Sequence, residues 1–232
     1  MILKYIYHSS FLLEMEDCSF IFDYYKGDIP EINRDKKLYV FSTHAHDDHY
    51  NEKIFELFGG YKDVEFILSD DIEVKNPEFK KLAKFISINS KYDIGQISIE
   101  TFESTDEGIA VMIETDGKTI YHSGDLNWWT WQGFESEEEY QNMTNRFKKE
   151  ISKMKGRNID LAMMVLDSRQ GERFDWGMKY FLENTNTAYV APMHCWNKFE
   201  VIQKFKDKHP ELASKTIMID THKIEKEGYS ID

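Results

Sequence analysis

An apolar stretch, Leu38-Tyr39-Val40-Phe41, runs almost directly into Thr43-His44-Ala45-His46-Asp47-Asp48-His49. Aromatic and β-branched residues in a short apolar run predict a buried strand. A strand that ends in such a cluster delivers imidazoles and carboxylates together to the loop at its tip. Neutral imidazole with carboxylate is a donor set for zinc and other first-row divalent ions. Solvated histidines in a polar turn would explain an isolated pair, but His-x-His-x-Asp-His directly after a strand is a far more specific pattern. His44 and His46 stand two residues apart, so in an extended segment they share a face and can address one ion.

The remaining chain divides into short segments without repeats, low-complexity tracts or a Pro-, Gly- or Ser-rich linker. Residues 2–7, 11–15 and 18–23 read as strands, with Glu16-Asp17 as a tight turn. Further strands are predicted over 64–68, 97–102, 110–114, 119–122, 161–166 and 188–191, with Asp116-Gly117 as a hairpin turn. Helices are predicted over 52–58, stopped by Gly59-Gly60, and over 136–154, 173–184 and 197–208. In the second of these, Tyr140, Met143, Phe147, Ile151 and Met154 recur at three- or four-residue steps, and glutamates at its start suit the N-terminal dipole. Strands dominate the first half and strand–helix alternation the second, which predicts a layered α/β architecture.

At 232 residues and 15% aromatic content the chain has the material for one domain, 1–232, with a sizeable core. No apolar run reaches the ~18–20 residues of a membrane span, and the N-terminus has no basic region followed by a small-residue cleavage site. Two cysteines, Cys18 and Cys195, are too few to signal a disulfide framework, so reduced thiols and a cytoplasmic protein are expected. The formal charge of −13 and the lack of a basic stripe disfavour nucleic acid as a partner. The oligomeric state is not legible.

The His-rich segment resembles the metal-binding signature of the metallo-β-lactamase superfamily. Tyr121-His122-Ser123-Gly124-Asp125 resembles that family's strand-then-Gly-Asp element, and Ala191-Pro192-Met193-His194 its late Pro-x-His element. The opening His8-Ser9-Ser10-Phe11-Leu12-Leu13-Glu14 resembles the branch of intracellular metal-dependent hydrolases that includes the ascorbate-phosphate lactonases. The resemblance spans roughly residues 5–200 and implies an αββα sandwich with the site along one edge of two sheets. It also implies that His44 and His46 hold a first ion, that Asp48, His49 and His194 hold a second, and that Asp125 bridges them. One or two divalent ions, zinc first, would activate water for hydrolysis of a small ester, lactone or phosphodiester, with Asp48 and Asp125 as the catalytic carboxylates. No Ser-His-Asp or Cys-His set with supporting context and no phosphate-cradling glycine loop offers another chemistry.

The pattern breaks once. A third histidine for the first ion is expected between the His-rich loop and the Gly-Asp element, yet residues 51–121 contain none. Asp106, in Phe102-Glu103-Ser104-Thr105-Asp106-Glu107-Gly108, is the best match; it is either the substitute ligand or a turn residue. As a ligand it adds charge and a harder donor, which predicts a position that favours iron or manganese, binds zinc more weakly, or stays empty. His8 is placed by the resemblance near the ions, touching substrate or supporting ligands. Trp128, Trp129 and Trp131 follow Asp125 without helical or strand period and are expected to wall the cleft. Arg169 contacts an anionic group or forms a surface salt bridge. His122 and His222 read as structural, His209 as a surface residue, and Cys195 as a buried, inert thiol. The alternative to a hydrolase is a non-hydrolytic metal-binding sensor or redox protein with a degenerate first site.

Overall fold

Alternating apolar residues on the first three strands pack inward, and they open a seven-stranded sheet. In the computed structural model, which describes residues 1–232, β1 (Ile2–Tyr7), β2 (Ser10–Glu14) and β3 (Cys18–Phe22) run antiparallel. β4 (Lys37–Ser42), β5 (Val64–Ser69) and β6 (Ala83–Ile86) then continue parallel to β3. The second sheet starts with β7 (Lys91–Ile94), β8 (Ile97–Glu103), β9 (Ile109–Thr115) and β10 (Lys118–His122), all antiparallel. β11 (Asn158–Val165), β12 (Asn186–Met193) and β13 (Ile217–Met218) join parallel to β10, while β14 (Tyr229–Ser230) returns to pair with β1. The short strands β6, β7, β13 and β14 were not predicted: they sit at or near sheet edges, where half-burial leaves little apolar pattern.

Three apolar layers explain the stacking. Phe11, Phe20, Phe22 and Phe41 of the first sheet meet Ile99, Val111, Ile113, Ile120 and Met163 of the second. Residues of opposite parity on the second sheet, among them Met112, Tyr121 and Met164, pack under α3 (Glu137–Ser152), α4 (Trp176–Asn184) and α5 (Glu200–Lys208). On the outer face of the first sheet Val40, Phe66 and Leu68 meet Ile54, Phe55 and Phe58 of α1 (Ile54–Phe58). This is the expected αββα sandwich. The two single-turn helices α2 (Pro77–Lys80) and α6 (Pro210–Ala213) were not anticipated. Prediction placed the start of α4 too early, because Ser168–Arg173 forms a separate 3₁₀ turn before it. α3 begins on a capping box, Ser136 accepting from the Glu139 N–H while the Glu139 carboxylate accepts from the Ser136 N–H.

No helix is long and apolar enough to cross a membrane. Cys18 and Cys195 are both buried and unpaired; burial raises the Cys195 thiol well above its ordinary range, consistent with an inert group. His209 corrects its surface reading: it is 7% exposed, with Nε2 2.5 Å from Asp175 Oδ2. His-Pro at a helix end looked like a loop, but the two helices either side of it fold the ring inward.

The parallel strands β3, β4, β10, β11 and β12 all end at one edge, and backbone crowding fixes the loops there. Gly108 has φ +67°, and a Cβ on it would lie 2.1 Å from the Thr43 carbonyl oxygen and 2.5 Å from His44 Cβ. The same carbonyl accepts from the Ile109 N–H at 2.9 Å, so the tip of β4 is clamped against the start of β9. Gly117 has φ +70° but open space at its Cβ position. Gly117→Ala therefore pays only the left-handed conformational cost, about 1 kcal/mol, whereas Gly108→Ala should lose clearly more in urea denaturation. Equal losses would mean that this close approach does not hold the β4 tip.

Candidate metal centre

The metal-donor residues of the sequence arrive at that edge from five separate loops. His44, His46, Asp48 and His49 follow β4; Asp125 follows β10; His194 follows β12; Asp106 lies between β8 and β9. His8 arrives from the β1–β2 hairpin. His44, His49, Asp125 and His194 are all nearly fully buried, while His46 and Asp106 are partly open, with side chains 41% and 46% exposed.

The spacing is that of atoms converging on an ion rather than on each other. Asp125 Oδ2 lies 3.7 Å from both His44 Nε2 and His194 Nε2, and Asp125 Oδ1 is 3.3 Å from His49 Nε2. His46 Nδ1 is 3.9 Å from Asp106 Oδ2, and His8 Nε2 is 3.4 Å from Asp48 Oδ2. These gaps are long for hydrogen bonds, yet shorter than the ~4.4 Å that separates at most two atoms each ~2.2 Å from one zinc. The Nε2 atoms of His8, His44 and His49 and Oδ1 of Asp125 are buried without any hydrogen-bond partner. Unpartnered buried polar atoms are costly, and divalent cations seated among them would satisfy them. Three overlapping groups result: His44, His49 and Asp125; His46, Asp106 and Asp125; and His8, Asp48, His49 and His194.

The opposite ring edges are held by buried carboxylates, of which Asp23 went unnoticed in the sequence. Asp23, at the tip of β3, is completely buried. Its Oδ1 accepts from the Thr43 N–H at 2.8 Å, and its Oδ2 accepts from Thr43 Oγ1–H at 2.8 Å and from His49 Nδ1 at 2.8 Å. Thr43 Oγ1 has then spent its proton, so its 3.0 Å contact with His44 assigns the proton to His44 Nδ1. Asp167, at the tip of β11, accepts from His194 Nδ1 at 2.9 Å. In all three rings Nδ1 is engaged and Nε2 is left facing the cluster, the arrangement that orients metal-ligating histidine. A carboxylate closing an apolar strand, Phe22-Asp23, was the available signal for Asp23.

Charge follows geometry. Burial opposes a charge on His49, but Asp125 and Asp23 on either side raise its imidazole to about 9. Burial and neighbouring His49 lower His44 to about 4. Burial opposes ionisation of Asp125 and Asp48, yet surrounding imidazoles hold both carboxyls below their ordinary range. Asp106 is shifted the other way, by burial and by Asp125.

A cleft of about 420 Å³ opens over these groups, lined by Trp129, Trp131, Met143, Trp196 and Arg169. A larger depression of about 790 Å³ beside Ile29, Arg34 and Tyr61 contains none of the histidines, so the chemistry assigns the smaller one. Trp129 donates Nε1–H to the Asp125 carbonyl at 2.9 Å and stands edge-on to His194. Trp128 does not join it, correcting the expected cleft wall. Its ring turns to the opposite side, packs on Phe147, Trp176 and Tyr180, and donates to Thr144 Oγ1. Adjacent loop residues point apart, and only tertiary packing chooses which faces the cleft. Arg169 forks onto Asp167 with Nε and Nη2 and lies 4.4 Å above the Trp196 ring. His122 is a packed histidine: Nδ1 accepts from the Gly124 N–H, Nε2–H donates to the Ser9 carbonyl, and the ring stacks on Phe22.

Residues 2–133, more than half of the chain, match the beta-lactamase superfamily domain family. The chain belongs to the metallo-β-lactamase superfamily. Among solved structures it is similar to a Parabacteroides distasonis protein designated provisionally as a metal-dependent hydrolase, with 17% identity and TM-score 0.64 over 94% of this chain and 90% of that one. A metallo hydrolase, Igni18 of Ignicoccus hospitalis, gives 20% identity and TM-score 0.60 over 98% and 95%. CmlA of Streptomyces venezuelae, a diiron β-hydroxylase, gives 9% identity and TM-score 0.52 over 91% of this chain and 49% of CmlA. At such identities the likeness speaks for the fold alone. No curated protein matches the chain.

Ligation requires neutral imidazole, so with His49 near 9 an ion bound there at neutral pH should displace about one proton. Calorimetric titration with zinc in buffers of different ionisation enthalpy should find that proton, and affinity should rise about tenfold per pH unit up to about pH 9. The metal-free protein should move oppositely: a folded-state value raised above 6.5 makes His49 stabilising below pH 6.5, with that contribution lost as pH climbs through about 9. A metal affinity flat from pH 7 to 9 would contradict the charged state of His49.

Proposed function

We propose that this chain is a divalent-metal-dependent hydrolase of a small ester, lactone or phosphodiester, acting as one domain over residues 1–232. The observation that carries the reading is the set of buried, partnerless Nε2 atoms around Asp125. In this reading His44, His46 and Asp106 hold a first ion, Asp48, His49 and His194 a second, and Asp125 serves both. Divalent ions supply a water acidified toward a pKa of ~7 and Lewis acidity at a carbonyl or phosphoryl oxygen.

The chain's own groups do the rest. Asp125 and Asp48, ionised at neutral pH by the imidazoles beside them, are the acceptors that hold and orient the attacking water's proton. Trp129, Trp131 and Trp196 offer indole faces to the non-reacting part of the substrate and keep bulk water off the reacting bond. Arg169, anchored through Nε and Nη2, keeps Nη1 for an anionic group such as a carboxylate or phosphate. Nucleic acid fits poorly, because a chain of charge −13 has few cations with which to neutralise phosphates. Two unpaired buried thiols fit a reducing compartment, the cytoplasm.

Zinc is the first choice of metal. The carboxylates Asp106 and Asp125 make the first position oxygen-rich, which favours iron or manganese there. That same feature supports the second reading, a sensor or redox protein, since the fold of the diiron protein CmlA resembles this one.

Purified protein should contain one to two equivalents of divalent metal by elemental analysis and turn over members of a lactone, ester and phosphodiester panel. Tightly bound iron without turnover would favour the redox reading. Asp125→Ala should lower hydrolysis by at least about 100-fold while the circular dichroism spectrum is kept; activity retained per bound metal would remove Asp125 from its role. Asp106→His should tighten zinc and shift preference away from iron and manganese, and Asp106→Ala should empty the first position alone. Identical metal content in wild type and both variants would make Asp106 a turn residue.

A further inference from the structure

The His-x-His-x-Asp-His motif does not contain the most unusual imidazole in the cluster. His8 comes from the β1–β2 hairpin, is 4% exposed and holds φ +54°, a left-handed conformation that few non-glycine residues adopt. Its Nε2 is buried with no hydrogen-bond partner. At 3.4 Å from Asp48 Oδ2 it makes a poor hydrogen bond, and its ring centroid lies 4.1 Å from that of His194 and 5.7 Å from that of His49. The donor atoms of His8, Asp48, His49 and His194 all fall within 4.8 Å of one another. The loop is tied in place as well: the His8 carbonyl accepts from the His194 N–H at 3.2 Å, and Trp196 covers the ring edge-on at 4.8 Å.

From this geometry we infer that His8 Nε2 is a protein ligand of the second ion, giving that position three imidazoles and the Asp48 carboxylate. The inference rests on the metal-centre reading and adds a residue to it. With Asp125 serving both ions, the first position has four protein donors and the second, with His8, has five; sites closed by protein donors hold an ion tightly, whereas catalytic sites keep a position open. The two positions are therefore unequal. At the second, His8, His49 and His194 are at most 4% exposed and only Asp48 is open, so it retains its ion; at the first, the His46 and Asp106 side chains are 41% and 46% exposed, so its ion exchanges more readily. A packed, non-ligating histidine would instead direct Nε2 at a carbonyl or hydroxyl, as His122 does toward Ser9.

His8→Asn is the informative variant, since asparagine accepts the left-handed backbone and removes the imidazole. Wild type loaded with zinc should release metal to a chelator in a fast and a slow phase. In His8→Asn the slow phase should speed up by at least about tenfold, the lower end of what losing even a group that supports a metal ligand costs, and the visible bands of the cobalt form should change at the slow site only. An unchanged slow phase and cobalt spectrum would overturn the assignment while leaving the metal centre intact; a wild type that binds no metal would overturn both. A second measurement needs no variant. In wild type labelled with ¹⁵N-histidine and filled with ¹¹³Cd, nitrogens of His8, His44, His46, His49 and His194 should all show one-bond coupling to cadmium. Coupling confined to the other four would also remove His8 from the site.

Discussion

A single completely buried carboxylate organises this molecule's working edge. Asp23 ends β3, and its two oxygens take the backbone and hydroxyl of Thr43 and the ring of His49. Burying an ion is expensive unless its hydrogen bonds are met, and here three donors meet them. The cost ties the tip of one strand to the tip of its neighbour and sets the rotation of two imidazoles. His44 is fixed indirectly through Thr43 Oγ1, and His49 directly. Loss of that carboxylate would leave the His-rich loop with its residues but without their orientation.

The rest of the edge repeats the same device. Asp167 ends β11 and does for His194 what Asp23 does for His49, while its other contacts anchor Arg169. One buried acid thus couples a histidine of the cluster to the cation nearest the cleft wall. Strain collects in the same place: His8, Asp23, His194 and Trp196 all carry positive φ. Such conformations persist only where surrounding structure enforces them, and they gather at functional sites. The aromatic inter-sheet core, with Phe20 and Phe22 stacked along β3 and Phe22 stacked on Phe41 of the adjacent strand, supplies the rigidity that offsets them.

The two halves of the cluster differ in character. Around His49 and His194 the donors are buried and nitrogen-rich; around His46 and Asp106 they are half-exposed and rich in oxygen, with Glu107 Oε2 3.4 Å from His46 Nε2. Both halves meet the cleft: Asp48 and His194 line it beneath Trp129 and Trp196, while His46 and Asp106 line it with half-exposed side chains.

The sequence by itself determined the sandwich and most of the cluster. Apolar runs closed by polar tips gave the principal strands, donor chemistry and spacing made residues 44–49 legible as a metal-binding segment, and resemblance to the family's motifs added Asp125 and His194. Asp106 was legible as a gap filled by the nearest acid. What only the tertiary structure decided concerns direction and partnership. Trp128 and Trp129 are neighbours in a loop with no period, so nothing local says that one packs under α3 and the other walls the cleft. Asp23 is an ordinary strand-end acid until β4 is laid beside β3. His8 stands 186 positions from His194 in sequence, and only the pairing of sheet edges brings their rings together. Local pattern fixes which residues can do chemistry; the long-range closure of two sheets fixes which of them meet.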